Sequence, residues 1–170
     1  MLQKSLLLVR IQEFNVISIA QKVIESNQLK DLVLLCLSDD KVLSFRATWV
    51  LAHCDKLKKN CAKNYYKVLI ENLQQPHLSD STIRNTLRLF QKNEVPKNQQ
   101  LFLIDCCFKY IQNPLQSIAI RSFSITIIYS VSKPYPELLN ELKLTLLHIK
   151  ETDSSPGMIS KVKNTLKLLD

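Results

Sequence analysis

The chain has 170 residues, 46% of them hydrophobic and 22% charged, enough for one substantial core without a second domain, so residues 1–170 read as one domain. It contains a single glycine, Gly157, which argues against β-sandwiches, Rossmann units and P-loops, all of which spend glycine on turns and phosphate loops. The net charge of +8 suits an acidic partner such as nucleic acid without requiring one, and the excess is spread evenly along the chain.

The start, MLQKSLLLVRIQEF, holds a short apolar run that Arg10 interrupts, too short for the core of a signal peptide. From Phe14 to Ser26, apolar residues at Val16, Ile17, Ala20, Val23 and Ile24 predict a helix with one buried stripe. Leu29 to Leu37 is apolar on most sides. Ser38-Asp39-Asp40 supplies N-caps for a third helix carrying Val42, Phe45, Trp49, Val50 and His53, expected to end before Asp55. A fourth helix, about Ala62 to Leu73, shows Tyr66, Leu69, Ile70 and Leu73 on one face. Ser79 or Asp80 caps a fifth through Phe90, with Ile83, Leu87 and Phe90 inward. The sixth spans Gln99 to Ile111, with Leu101, Ile104, Phe108 and Ile111 as its stripe. The seventh covers Asn113 to Val131, with Pro114 in its first turn. Glu137 to Ile149 and Met158 to Leu169 complete the set. Short loops between helices and no convincing strand give an all-α fold of antiparallel neighbours.

Alternate helices repeat. Arg46, Arg84, Arg121 and Lys163 are separated by 38, 37 and 42 positions, and each follows an apolar residue. Lys161 would even the last spacing to 40, with poorer apolar matches. A period near 40 with two helices per unit marks an α-solenoid, whose helix pairs bury their apolar faces only by stacking. The segments DDKVLSFRATWVL and NPLQSIAIRSFSITIIYSVSKPYPELLNELK resemble HEAT-type repeats, in which a loop or proline leads into an apolar-Arg-x-x-apolar helix. The resemblance covers about residues 14–169. It implies a right-handed, HEAT- or armadillo-like superhelix of four to five helix pairs, with Arg46, Arg84 and Arg121 in the stacking apparatus. The chain is also similar to a group of small bacterial HEAT-type proteins to which adenylosuccinate lyase activity is sometimes ascribed. SSPGMISKVKN echoes that enzyme's Ser-Ser-x-Met-Pro-x-Lys-x-Asn loop, but proline and spacing differ and the rest of its apparatus is missing.

No catalytic set, cofactor motif or metal-ligand spacing emerges. His53, His77 and His148 are far apart; Cys36, Cys54, Cys61, Cys106 and Cys107 lack C-x-x-C spacing and read as core thiols of a cytoplasmic protein. Asp105 interrupts an apolar run and reads as the polar edge of its helix, and Trp49 reads as core. A basic island of Lys56, Lys58, Lys59, Lys63 and Lys67, interleaved with Tyr65 and Tyr66, offers contacts for phosphates or an acidic partner. No segment approaches the roughly 20 apolar residues of a membrane span. The expected function is a non-enzymatic scaffold for a protein or peptide. The alternative is a DNA-binding protein similar in architecture to HEAT-like alkylpurine DNA glycosylases, whose site residues match no particular position here.

Overall fold

A computed structural model describes residues 2, 4–10 and 14–169, and every element among them is helical. They group into two compact units, Met1–Val95 and Pro96–Asp170.

The first unit holds α1 (Val16–Glu25), α2 (Leu29–Cys36), α3 (Lys41–Leu57), α4 (Tyr66–Asn72) and α5 (Asp80–Lys92), with 3-10 turns at Lys4–Leu6 and Lys63–Tyr65. Three helix starts are capped as polar side chains before apolar runs demand. Asn15 Oδ1 accepts from the Ser18 N–H at 3.0 Å, Asp40 Oδ1 from Val42 and Leu43 at 2.9 and 3.0 Å, and Ser79 Oγ from Thr82 at 3.2 Å. Asp39 takes no part in the cap and is exposed, 3.3 Å from His77. With glycine scarce, asparagine supplies the left-handed backbone after α1 and α3: Asn27 has φ 53° and Asn60 φ 60°.

The centre of this unit is α3, which packs on α1, α2 and α5. Its small buried residues, Ser44, Ala47, Thr48 and Ala52, let those neighbours approach closely. Rather than stopping before Asp55, the helix continues to Leu57, because Asp55 is buried and bonded instead of solvated. Ile17 and Val42, expected inside, are exposed, and Ile19 and Leu43 take their places. Each apolar stripe had two possible edges, and the packed neighbour covers only one. Contact between equivalent positions of successive repeats is explicit here. Ser44 and Thr82 hydroxyls lie 3.4 Å apart, and Asn93 Nδ2 donates to Asp55 Oδ2 at 2.7 Å; both pairs are separated by 38 residues.

The second unit holds α6 (Lys97–Gln112), α7 (Ile118–Val131), α8 (Pro136–Thr152) and α9 (Pro156–Leu166). Pro136 and Pro156 open α8 and α9, where a missing N–H costs nothing. Pro114 does not do the same for α7. Asn113 Oδ1 accepts from Leu115 N–H at 3.0 Å and Asn113 O from Gln116 N–H at 3.1 Å, a turn that delays the helix to Ile118. Within the unit α7 is central, packing on α6, α8 and α9 and burying Ile120, Ile125, Ile127 and Ile128. On α6, Leu101 is exposed and Leu103 buried, again a shift of stripe edge.

Candidate functional site

Two of the repeat arginines, Arg46 and Arg121, are spent on backbone carbonyls. Arg46 Nη1 donates to the carbonyls of Leu7 at 2.7 Å and Val9 at 2.5 Å, and its guanidinium lies 5.0 Å over the Phe14 ring, so it ties the chain ahead of α1 to α3. Arg121 donates through Nε to Ile111 O at 3.3 Å and through Nη1 to Asp153 Oδ2, joining the end of α6 to the loop before α9. The Ser155 backbone N–H, at 2.8 Å, is the main cause holding the Asp153 carboxyl below the usual carboxylate range; the Ser155 hydroxyl and Arg121 add to it against the effect of burial. Arg84 is half-buried, and its Nε is enclosed without a partner among the described residues. The fourth position differs. Lys163 is exposed, and the basic residue of α9 that turns inward is Lys161, whose Nζ donates to Thr126 Oγ1 at 2.7 Å while burial lowers its pKa.

Lys56, Lys58, Lys59, Lys63 and Lys67 are all exposed. Lys67 approaches Glu71 at 3.9 Å, an exposed pair of little energetic weight. The tyrosines are unequal. Tyr65 is half-buried, whereas Tyr66 is 0% exposed, packs edge-on to Phe90 at 5.2 Å and belongs to the core, so it has no face for a base. Trp49, expected in the core, stands half-buried at its edge. Its ring lies 5.5 Å from Phe14, 5.8 Å from Phe45 and 6.3 Å from His53, a column made by residues four apart on α3.

Burial pushes the thiols of Cys36 and Cys107 well up, that of Cys54 up to about 12 and that of Cys61 up to about 11. These are poor nucleophiles. Asp105 is exposed on the edge of α6. Among the described residues no group of three or more His, Cys, Asp or Glu side chains is placed to hold a metal, and no helix is long and apolar enough to cross a membrane.

Two wide grooves open on the second unit. One, of about 930 Å³, has the Arg121–Asp153 pair in its wall beside Leu144, Thr145 and His148. The other, of about 810 Å³, runs between α8 and α9. Lys143, Lys150, Lys163 and Lys167 line it, with Leu147 and Ile159 between them, and none of its described lining residues is acidic. A smaller hollow of about 440 Å³ shares Lys143 and extends the same stripe of α8 through Leu139 to Pro136; there Lys133 lies 5.4 Å over the Tyr129 ring. The sequence does show Lys143 and Lys150 at one helical spacing and Lys163 and Lys167 at another. It does not show that two helices turn those rows toward each other.

No curated protein and no solved structure matches the chain. Residues 3–169 match the sequence profile of the HEAT repeat domain. That span, the 38-residue register of the Ser44–Thr82 and Asp55–Asn93 contacts and the all-helical units agree, and the chain belongs to the HEAT repeat domain family.

Proposed function

We propose that this HEAT-repeat protein is a non-enzymatic scaffold that takes a protein partner on its exposed helical surface. The observation that carries this function is the α8–α9 groove, where Lys150, Lys163 and Lys167 stand exposed beside aliphatic side chains and no described lining residue is acidic. Elsewhere Arg46, Arg121, Asp55 and Asp153 are bonded within the fold. Five free cysteines suit a reducing compartment, the cytoplasm. A photo-crosslinking residue placed in turn at Leu115, Leu147 and Tyr65 tests the proposal in cells. The expected result is covalent protein adducts from at least one position; the absence of protein adducts from all three overturns it.

A second function, nucleic-acid binding, draws on the exposure of all five lysines of the basic island. A labelled duplex oligonucleotide at about 50 and 200 mM salt decides it, since phosphate contacts weaken steeply over that range. Salt-sensitive binding lost on substitution of Lys56, Lys58 and Lys59 supports it; no binding at the lower salt removes it.

A further inference from the structure

We infer that the α8–α9 groove seats an acidic amphipathic helix of the partner protein, an assignment that rests on the scaffold function above. Lys150, Lys163 and Lys167 are exposed along its rims, and α9 carries no acidic residue at all. The acidic residues of α8, Glu137, Glu141 and Glu151, do not line the groove. Among the described residues the result is a rim of one sign around an aliphatic floor of Leu147, Ile159 and Leu166.

A helical guest can meet two of these lysines at once. Lys163 and Lys167 are four residues apart, which sets their charges about 6 Å apart along α9. A guest helix lying along the groove presents carboxylates at that same interval on its flank and an apolar stripe to the floor. Nucleic acid fits less well. The aliphatic floor gives bases nothing to stack on, and the aromatic ring of the adjoining hollow, Tyr129, already has Lys133 over its face.

The probe is a fluorescein-labelled synthetic peptide of about 18 residues, or roughly five turns, with leucines at i, i+4 and i+7 flanked by glutamates. Its controls are the Glu→Gln peptide, a scrambled peptide of equal composition and a duplex oligonucleotide. Binding by anisotropy at about 150 mM salt is compared for the full chain, for Lys150→Glu/Lys163→Glu/Lys167→Glu and for Lys56→Glu/Lys58→Glu/Lys59→Glu, which changes the net charge equally. All six lysines are exposed, and both variants are expected to keep their helices, which circular dichroism checks. The groove variant is expected to lose at least about tenfold in affinity and the island variant less than about twofold. The Gln and scrambled peptides are expected to bind weakly to the unsubstituted chain. Absent peptide binding, equal losses in the two variants, undiminished binding of the scrambled peptide, or tighter oligonucleotide binding abolished by the groove substitutions would each overturn the assignment. Failure here with protein crosslinks retained at Leu115 or Tyr65 removes the groove and leaves the scaffold; loss of crosslinks at every position removes the scaffold itself.

Discussion

Asp55 and Asn93, 38 residues apart, meet at 2.7 Å in the interior of the first unit. Asp55 also accepts from the Asn60 N–H at 2.9 Å and Asn93 Nδ2 also donates to Leu89 O at 2.9 Å, so the pair closes the ends of α3 and α5 together. Asn93→Ala leaves a buried carboxylate short of a donor, and should cost about 2–3 kcal/mol. Ser44→Ala, at the looser 3.4 Å contact with Thr82, should cost under about 1 kcal/mol. Urea denaturation of both variants checks the ranking; equal costs would show that Asp55 does not depend on Asn93.

Tyr66 gives the opposite sign. Its hydroxyl is buried with no partner among the described residues, so it carries a desolvation penalty that phenylalanine does not. Tyr66→Phe keeps the edge-on packing with Phe90 and should be neutral or stabilise by up to about 1 kcal/mol. A loss of more than about 1 kcal/mol in thermal or urea unfolding would reveal a bond that the hydroxyl makes.

The thiols give a pattern of reactivity. Cys36, Cys54, Cys106 and Cys107 are buried and Cys61 is partly exposed. Iodoacetamide at about pH 8 should label Cys61 slowly and the other four only after unfolding, read by peptide mass spectrometry. Because burial raises the thiols of Cys36, Cys54, Cys61 and Cys107 above their ordinary value of 9.0, the stability linked to their neutral form is present below that pH and is lost as pH rises toward and through the folded values, about 11 for Cys61 and about 12 for Cys54. Urea midpoints should therefore fall as pH climbs past 9.0, and fall less in Cys54→Ala than in the unsubstituted chain.

Asp153 governs the acid side of the second unit. Its carboxyl is held below the ordinary value of 3.8, first by the Ser155 N–H, so the stability it contributes is present above that pH and lost as pH falls through the lower, folded value. Asp153→Asn should flatten the acid limb of a stability–pH curve while costing stability at neutral pH. Arg121→Met, which strands Asp153 at 12% side-chain exposure and frees Ile111 O, should cost about 3 kcal/mol or more. Denaturation curves from acid to neutral pH check both.

What the sequence determined by itself is local and periodic. The helices, the caps at Asp40 and Ser79, the proline that opens α8 and the spacing of Arg46, Arg84 and Arg121 are set by interactions within a turn or two of chain, and by a repeat that stacking requires. Where neighbouring elements decide, tertiary structure was needed. It chose Ile19 over Ile17, Leu43 over Val42 and Leu103 over Leu101, because an apolar stripe wider than its contact leaves the covered edge open. It turned Lys161 inward to Thr126 and left Lys163 outside, since two lysines on one helix differ only in what faces them. It also placed Tyr66 in the core beneath an exposed lysine island, and brought the lysines of α8 opposite those of α9. That groove is a product of packing: rows of charge distant in sequence meet only when two helices lie side by side.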